Sequence, residues 1–222
     1  MEKKFILTDK FVINSFGIKL FQIKCTKSFK YAQKGDFGGY VEKEGNLDQE
    51  NDAWVFGNAR VFGNARVSSN ARVSGDAWVS DNARVSGDAW VSDNAWVSSN
   101  AWVSGDALVS GDAWVSGDAR VFGNARVSGD AWVSGNAWVS GDADIENDNE
   151  HCGFDGFGSC NRHTHAYMTK EKKVEIICGC FRGSIEEFEK KVEETHSGTV
   201  YEKQYKSIIN VIKIKFGLTD FT

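Results

Sequence analysis

From Ala53 to Glu146 the sequence repeats every six residues without a slip, as A-[W/R]-V-[S/F]-[G/S/D]-[N/D]. The central aliphatic falls at Val55, Val61, Val67 and onward at constant spacing to Val139 and Ile145. A six-residue period fits neither a helix nor a flat sheet. It fits a solenoid whose straight sides are short strands. Neighbouring side chains of a strand point to opposite faces, so Val points inward while Trp, Arg and Ser point outward. The following Gly, Asn or Asp tolerates the left-handed backbone angles of a corner. The small Ala beside the corner fits where the interior narrows. Three such sides close a coil of 18 residues. Stacked coils then pair as parallel strands about 4.8 Å apart. The chain has no proline, as an uninterrupted ladder of backbone N–H groups requires.

The pattern resembles the hexapeptide repeat of left-handed parallel β-helix proteins. The handedness comes from that resemblance, since the general crossover rule favours the right hand. A pentapeptide-repeat solenoid needs a period of five, which the sequence does not offer. The expected architecture is mainly β: an N-terminal β cap with a first irregular coil over 1–52, the solenoid over 53–148, and a small α+β domain over 149–222.

Positions 18 apart should share a face. One face carries Trp54, Arg72, Trp90, Leu108, Arg126 and Asp144. The second carries Arg60, Trp78, Trp96, Trp114 and Trp132, flanked by Ser80, Ser98, Ser116 and Ser134. The third carries Arg66, Arg84, Trp102, Arg120 and Trp138. All eight tryptophans therefore fall on outward positions. Trp78, Trp96, Trp114 and Trp132 are expected to form an exposed aromatic ladder. Such a ladder can simply stabilise stacked strands, helped by neighbouring arginines. It can also be a protein interface, since a large apolar patch marks one and Trp and Arg are the hot-spot residues. The candidate binding residues are Trp78, Trp96, Trp114, Trp132, Arg84, Trp102, Arg120 and Trp138. Sugar stacking is a weaker alternative, because stacked indoles hide their faces from a ligand.

Charge argues against nucleic acid as the partner. Residues 51–148 hold six arginines and thirteen acidic residues, whereas phosphate-tracking surfaces are basic. The corner aspartates are read as solvated turn residues, with Ca²⁺ binding or mimicry of a nucleic-acid backbone as the alternatives. The best-known enzymes of this fold are acyltransferases, whose chemistry requires a histidine base. The related carbonic anhydrases need histidine ligands to a metal. No histidine lies between Met1 and Glu150, and the sixteen hexads carry no insertion from which a site could be built. No catalytic residue, cofactor or enzymatic activity is therefore expected.

The ends read as separate modules. Phe21, Ile23 and Cys25 alternate with polar residues, a strand pattern, and Phe5 and Leu7 suggest an earlier strand with a turn at Asn14–Gly17. The spacing from Leu47 to Val55 is eight residues, so the first coil departs from the register. The run Lys34–Val55, KGDFGGYVEKEGNLDQENDAWV, resembles the lead-in to hexapeptide-repeat proteins of phages and prophages. Members are often called transferases or polymer-forming proteins on the strength of the fold, which does not establish an activity. In the C-terminal region, 165–169 and 174–178 predict a hairpin. Ser184 with Glu187 predicts a capping box before a helix, and a second helix should carry Tyr201, Tyr205, Ile208, Ile209, Ile212 and Phe216 on one side. The segment from Cys178 to Phe188, continuing to Glu194–Gly198, resembles a portable module of phage accessory proteins. The glycine-rich stretch from Gly153 to Gly158 reads as a flexible exit from the solenoid. Cys160, His163, His165, Cys178 and Cys180, with His151 and Cys152, form a tempting zinc inventory, but the spacing is irregular and lacks a CxxC pair, so no metal site is assigned.

No apolar run approaches a membrane span and the start lacks a signal-peptide core, so a cytoplasmic location is expected, that of the host cell if the protein is phage-encoded. The resemblance implies a phage or prophage accessory protein that acts by binding a protein or small ligand, with a counter-defence role as one setting. It also implies a homo-oligomer, trimer or dimer. The alternatives are an acetyltransferase-like enzyme and a structural virion component.

Overall fold

A computed structural model describes residues 2–218 of the chain. The N-terminal strands are β1 (Phe5–Ile13), β2 (Lys19–Cys25) and β3 (Phe37–Val41). Among the described residues, sixteen two-residue strands follow, β4 to β19, the first Trp54–Val55 and the last Asp144–Ile145. The C-terminal module holds β20 (His151–Phe157), β21 (Arg162–Met168), β22 (Val174–Cys178), β23 (Phe181–Gly183), α1 (Ile185–His196) and α2 (Val200–Lys215). None of the described helices is long and apolar enough to cross a membrane.

The two-residue strands stack into three parallel sheets in the expected order: Trp54 beside Arg72, Arg60 beside Trp78, Arg66 beside Arg84, and onward at every eighteenth residue. Each inward Val from Val55 to Val139 is buried, as is every Ala of the repeat. Burying one valine side chain contributes about 1.5–3 kcal/mol, and here the gain recurs at every side of every coil. From Val55 to Val127 the N–H groups flanking the inward Val reach carbonyls one coil on, as in Arg60 to Ala77 at 2.9 Å and Phe62 to Val79 at 3.0 Å.

The corners are built as carefully as the sides. Most hold a glycine at positive φ, such as Gly75 at 69° and Gly111 at 69°. Ser69, Asp81, Asp93 and Ser99 adopt the same angles without being glycine. At two of these the side chain helps: Asp81 accepts from the N–H of Ser99 and Asp93 from that of Gly111, both at 3.1 Å. One corner carries an amide ladder, Asn64 to Asn82 to Asn100 to Asp118, with successive donations at 3.2, 3.1 and 3.0 Å. The corner residues are therefore more than solvated turns. An Asn above an acceptor is bonded along the stack.

The solenoid starts earlier than its regular repeat. β3 already belongs to the first coil, with Tyr40 paired to Arg60 and Leu47 bridged to Val67. The surplus residues lie between Leu47 and Ala53. Lys4 clamps that bulge by donating to the carbonyls of Asn51 and Ala53, at 2.5 and 2.8 Å. β1 and β2 form an antiparallel hairpin that extends the second sheet and covers the core with Phe5 and Ile23. Gly38 permits that contact, since a Cβ there would lie 2.6 Å from Ile23.

At the other end the four strands β20–β23 form an antiparallel sheet. Alternation sorts its residues. Tyr167 and Ile177 join the solenoid core, while Ala166, Ile176 and Cys178 pack with Phe188, Ile209 and Ile212 of the helices. One face of the sheet thus closes the last coil and the other carries α1 and α2. The Gly153–Gly158 stretch lies largely within β20, paired residue by residue with β21 as far as Phe154. The expected flexible exit is therefore corrected: a short 3-10 turn at Asp148–Glu150 leads from the last coil into a paired strand. The hairpin and the Ser184–Glu187 capping box form as the sequence indicates.

Candidate binding surface

The second face brings Trp78, Trp96, Trp114 and Trp132 into register. Trp96, Trp114 and Trp132 stack nearly parallel, with centroids 5.0 and 5.1 Å apart and interplanar angles of 6° and 5°. Their indole N–H groups donate to Ser80, Ser98 and Ser116 at 3.1, 3.0 and 3.3 Å. The same bond recurs on the other faces, from Trp90 to Ser74 at 2.8 Å and from Trp102 to Ser86 at 3.1 Å. Each acceptor lies sixteen residues before its tryptophan.

Two ladder expectations change. Trp78 leaves the parallel stack and meets Trp96 edge-on, at 5.8 Å and 63°. The cause is Phe62, which stands where the serine would be and packs edge-on against Trp78 at 5.7 Å. Trp138 is likewise tilted against Phe122. The ladder is also less exposed than expected. Trp78, Trp96 and Trp114 are half-buried, and Trp132, at the end of the stack, is 50% exposed. Phe16, at the tip of the β1–β2 hairpin, covers the other end, within 6.3 Å of Phe62, Trp78 and Trp96. Outward position does not guarantee exposure either. Trp54 is buried, boxed in by Phe5 and Phe29 of the cap.

The third face brings Arg84, Trp102, Arg120 and Trp138 together in register, below Arg66. All five are exposed. Arg66 is absent from the sequence-based set, because its importance comes from the cap loop standing over it. Trp90 on the first face is exposed too, with Arg72 lying over its ring at 4.5 Å.

The zinc inventory is divided by the sheet it sits on. His151, His163 and His165 cluster toward the last coil. The ring of His165 donates from Nδ1 to the carbonyl of Trp138 at 3.2 Å and accepts at Nε2 from Nδ1 of His151 at 3.1 Å. Burial, and then the neighbouring His151, push the His165 pKa down to about 3. His163 donates to Asp155 at 2.8 Å. Cys152 and Cys178 lie on the helix side, where burial raises the Cys152 thiol to about 11. Cys160 and Cys180 are exposed. Among the described residues no group of three histidines, cysteines or carboxylates has the geometry to hold a metal.

Residues 65–81, 77–93, 101–117 and 119–135 match the family described as the YdcK beta solenoid repeat. These segments lie within the stacked coils, so the likeness extends to the rod and not to its two ends. No curated protein matches the chain.

Proposed function

We propose that the chain is a non-catalytic scaffold that docks a protein partner through tryptophans held on a stiff rod. The observation that carries this reading is the exposure of Trp132 and Trp138 at 50% and 37%, on neighbouring sides of the same end of the solenoid. Exposed aromatic anchors that are already immobilised lose little freedom on binding. Trp132 is fixed by its stack on Trp114 and its bond to Ser116. Trp138 is fixed against Phe122. The histidines support a non-catalytic reading, since His151 and His163 each commit one ring nitrogen, and His165 both, to hydrogen bonds at the junction between the last coil and the C-terminal sheet.

The partner setting rests on the resemblance of the lead-in segment and the C-terminal module to phage and prophage proteins. We infer an accessory protein of a phage or prophage, acting in the host cytoplasm against a host defence protein and working as a homo-oligomer. The test compares wild type with Trp132→Ser and Trp138→Ser, by light scattering and by affinity capture from host lysate. Loss of one captured species or of the oligomer, with circular dichroism unchanged, is the expected outcome. Unchanged mass together with an unchanged captured set would sink the reading.

A further inference from the structure

The six arginines of the repeats fall into two groups. Arg60 lies over Trp78 at 5.1 Å, Arg72 over Trp90 at 4.5 Å, and Arg126 pairs with Asp144 at 3.7 Å. Among the described residues, the guanidinium groups of Arg66, Arg84 and Arg120 have no ion pair, hydrogen bond or ring contact, and all three stand exposed on the third face. Arg66 and Arg84 are direct neighbours in the ladder. Like charges opposite each other in a sheet repel, so this pair has an unmet demand for an anion.

A groove of about 700 Å³ lies over these two residues, walled by the cap loop at Glu44–Asp48 and continuing to Trp102. That volume lies within the range of small-molecule sites. The acids in the wall do not answer the arginines. Glu44 is held by Lys3, whose ammonium donates to both its oxygens at 2.6 and 2.9 Å. Asp48 accepts from the N–H of Glu50 at 2.9 Å and the amide of Asn51 at 2.6 Å, with Lys4 as its neighbouring charge. One level beyond Arg84, Trp102 presents an exposed indole whose orientation is set by its bond to Ser86.

The groove therefore offers a cationic pair beside a flat aromatic ring. Guanidinium groups take phosphates and carboxylates through paired hydrogen bonds, and an indole takes a planar ring by offset stacking. Exposed Asp81, Asp88, Asp106 and Asp118 occupy the corners on either side of this face. They repel an extended phosphate polymer but leave room for a single compact anion. We propose that the groove binds a small ligand in which an anionic group is joined to a planar aromatic ring, with Arg66 and Arg84 taking the anion and Trp102 stacking the ring. This site is separate from the Trp132–Trp138 docking surface and stands or falls independently of it.

The test is calorimetry on the full chain at fixed ionic strength with four probes. Adenosine 5′-monophosphate carries phosphate and ring, 2-naphthoate carries carboxylate and ring, and adenosine and inorganic phosphate carry one half each. One of the two combined probes should bind at least about tenfold more tightly than either half, and which one binds distinguishes phosphate from carboxylate recognition. Arg84→Met and Trp102→Ser should each weaken it by about tenfold or more. Arg120→Met on the same face, and Trp132→Ser, should leave it unchanged. All four residues are exposed, and unchanged dichroism separates lost binding from lost fold. The proposal is overturned if neither combined probe saturates, if inorganic phosphate binds as well as they do, or if Arg84→Met and Trp102→Ser bind like wild type.

Discussion

Trp114 donates its indole N–H to the hydroxyl of Ser98, sixteen residues earlier, at 3.0 Å. Ser98 is itself buried beneath the indoles. Replacing Ser98 by Ala leaves a donor unmatched in a half-buried setting, at a cost of about 1 kcal/mol. Chemical denaturation of Ser98→Ala, Trp114→Phe and the double variant should return a coupling of about that size. A coupling near zero would mean that stacking alone orients the indole.

The corners predict a contrast between two glycines. A Cβ on Gly75 would lie 2.7 Å from the backbone nitrogen of Asp93 in the next coil, at a φ of 69°. Gly135 has a similar φ, 65°, but nothing within 4 Å of its added Cβ. Gly135→Ala should cost roughly 1–2 kcal/mol for the left-handed conformation alone. Gly75→Ala should cost about 3 kcal/mol or more, since two coils must also move apart. Thermal melts of the two variants compare the effects directly, and equal costs would refute the close approach.

The His165 cluster predicts acid sensitivity at the C-terminal junction. Folding holds the pKa of His165 at about 3, against an ordinary 6.5. Between those values the unfolded chain binds a proton that the folded chain refuses. This contribution to stability is therefore complete above about pH 6.5 and is lost as pH falls, by about 1.4 kcal/mol per unit. His151 shifts in the same direction, because its burial outweighs the attraction of Asp148. Hydrogen exchange between pH 7 and pH 4 should show β20 and β21 losing protection before the central coils. His165→Phe should flatten that dependence.

The hairpin tip predicts a local effect on the ladder. Phe16 is 59% exposed yet lies within 6.3 Å of Phe62, Trp78 and Trp96. Phe16→Ser should cost about 0.5–1.5 kcal/mol and make tryptophan emission more open to acrylamide quenching. Quenching identical to wild type would mean that the tip does not cover the stack.

Much of this geometry was legible in the repeat. Once the period is six, folding the sequence by eighteen assigns Trp96, Trp114 and Trp132 to one column and Val97, Val115 and Val133 to the core beneath it. The serine bonds were legible too, in a way the column alone does not reveal. A Trp with Ser sixteen residues earlier is bonded, as Trp90 and Trp102 are, and a Trp with Phe there is tilted, as Trp78 and Trp138 are. What the repeat could not indicate is what the ends do to it. Trp54 is outward by position and buried in fact, because Phe5 and Phe29 arrive from a cap with its own pattern. The groove over Arg66 depends on the same cap. The glycines of β20 read as a loop because a strand's pairing partner lies elsewhere in the sequence.

The parallel stacking of Trp96, Trp114 and Trp132 has a spectroscopic consequence. Three indoles at centroid separations of 5.0 and 5.1 Å, with planes within 6° of parallel, form a side-by-side stack. Their ultraviolet excitations should couple and lower the absorption per indole below that of isolated tryptophans. Separating two neighbouring coils of the three that carry them would restore part of that absorption while leaving each strand's backbone signal in place. The solenoid therefore contains an intrinsic optical gauge of coil spacing, readable without an added label.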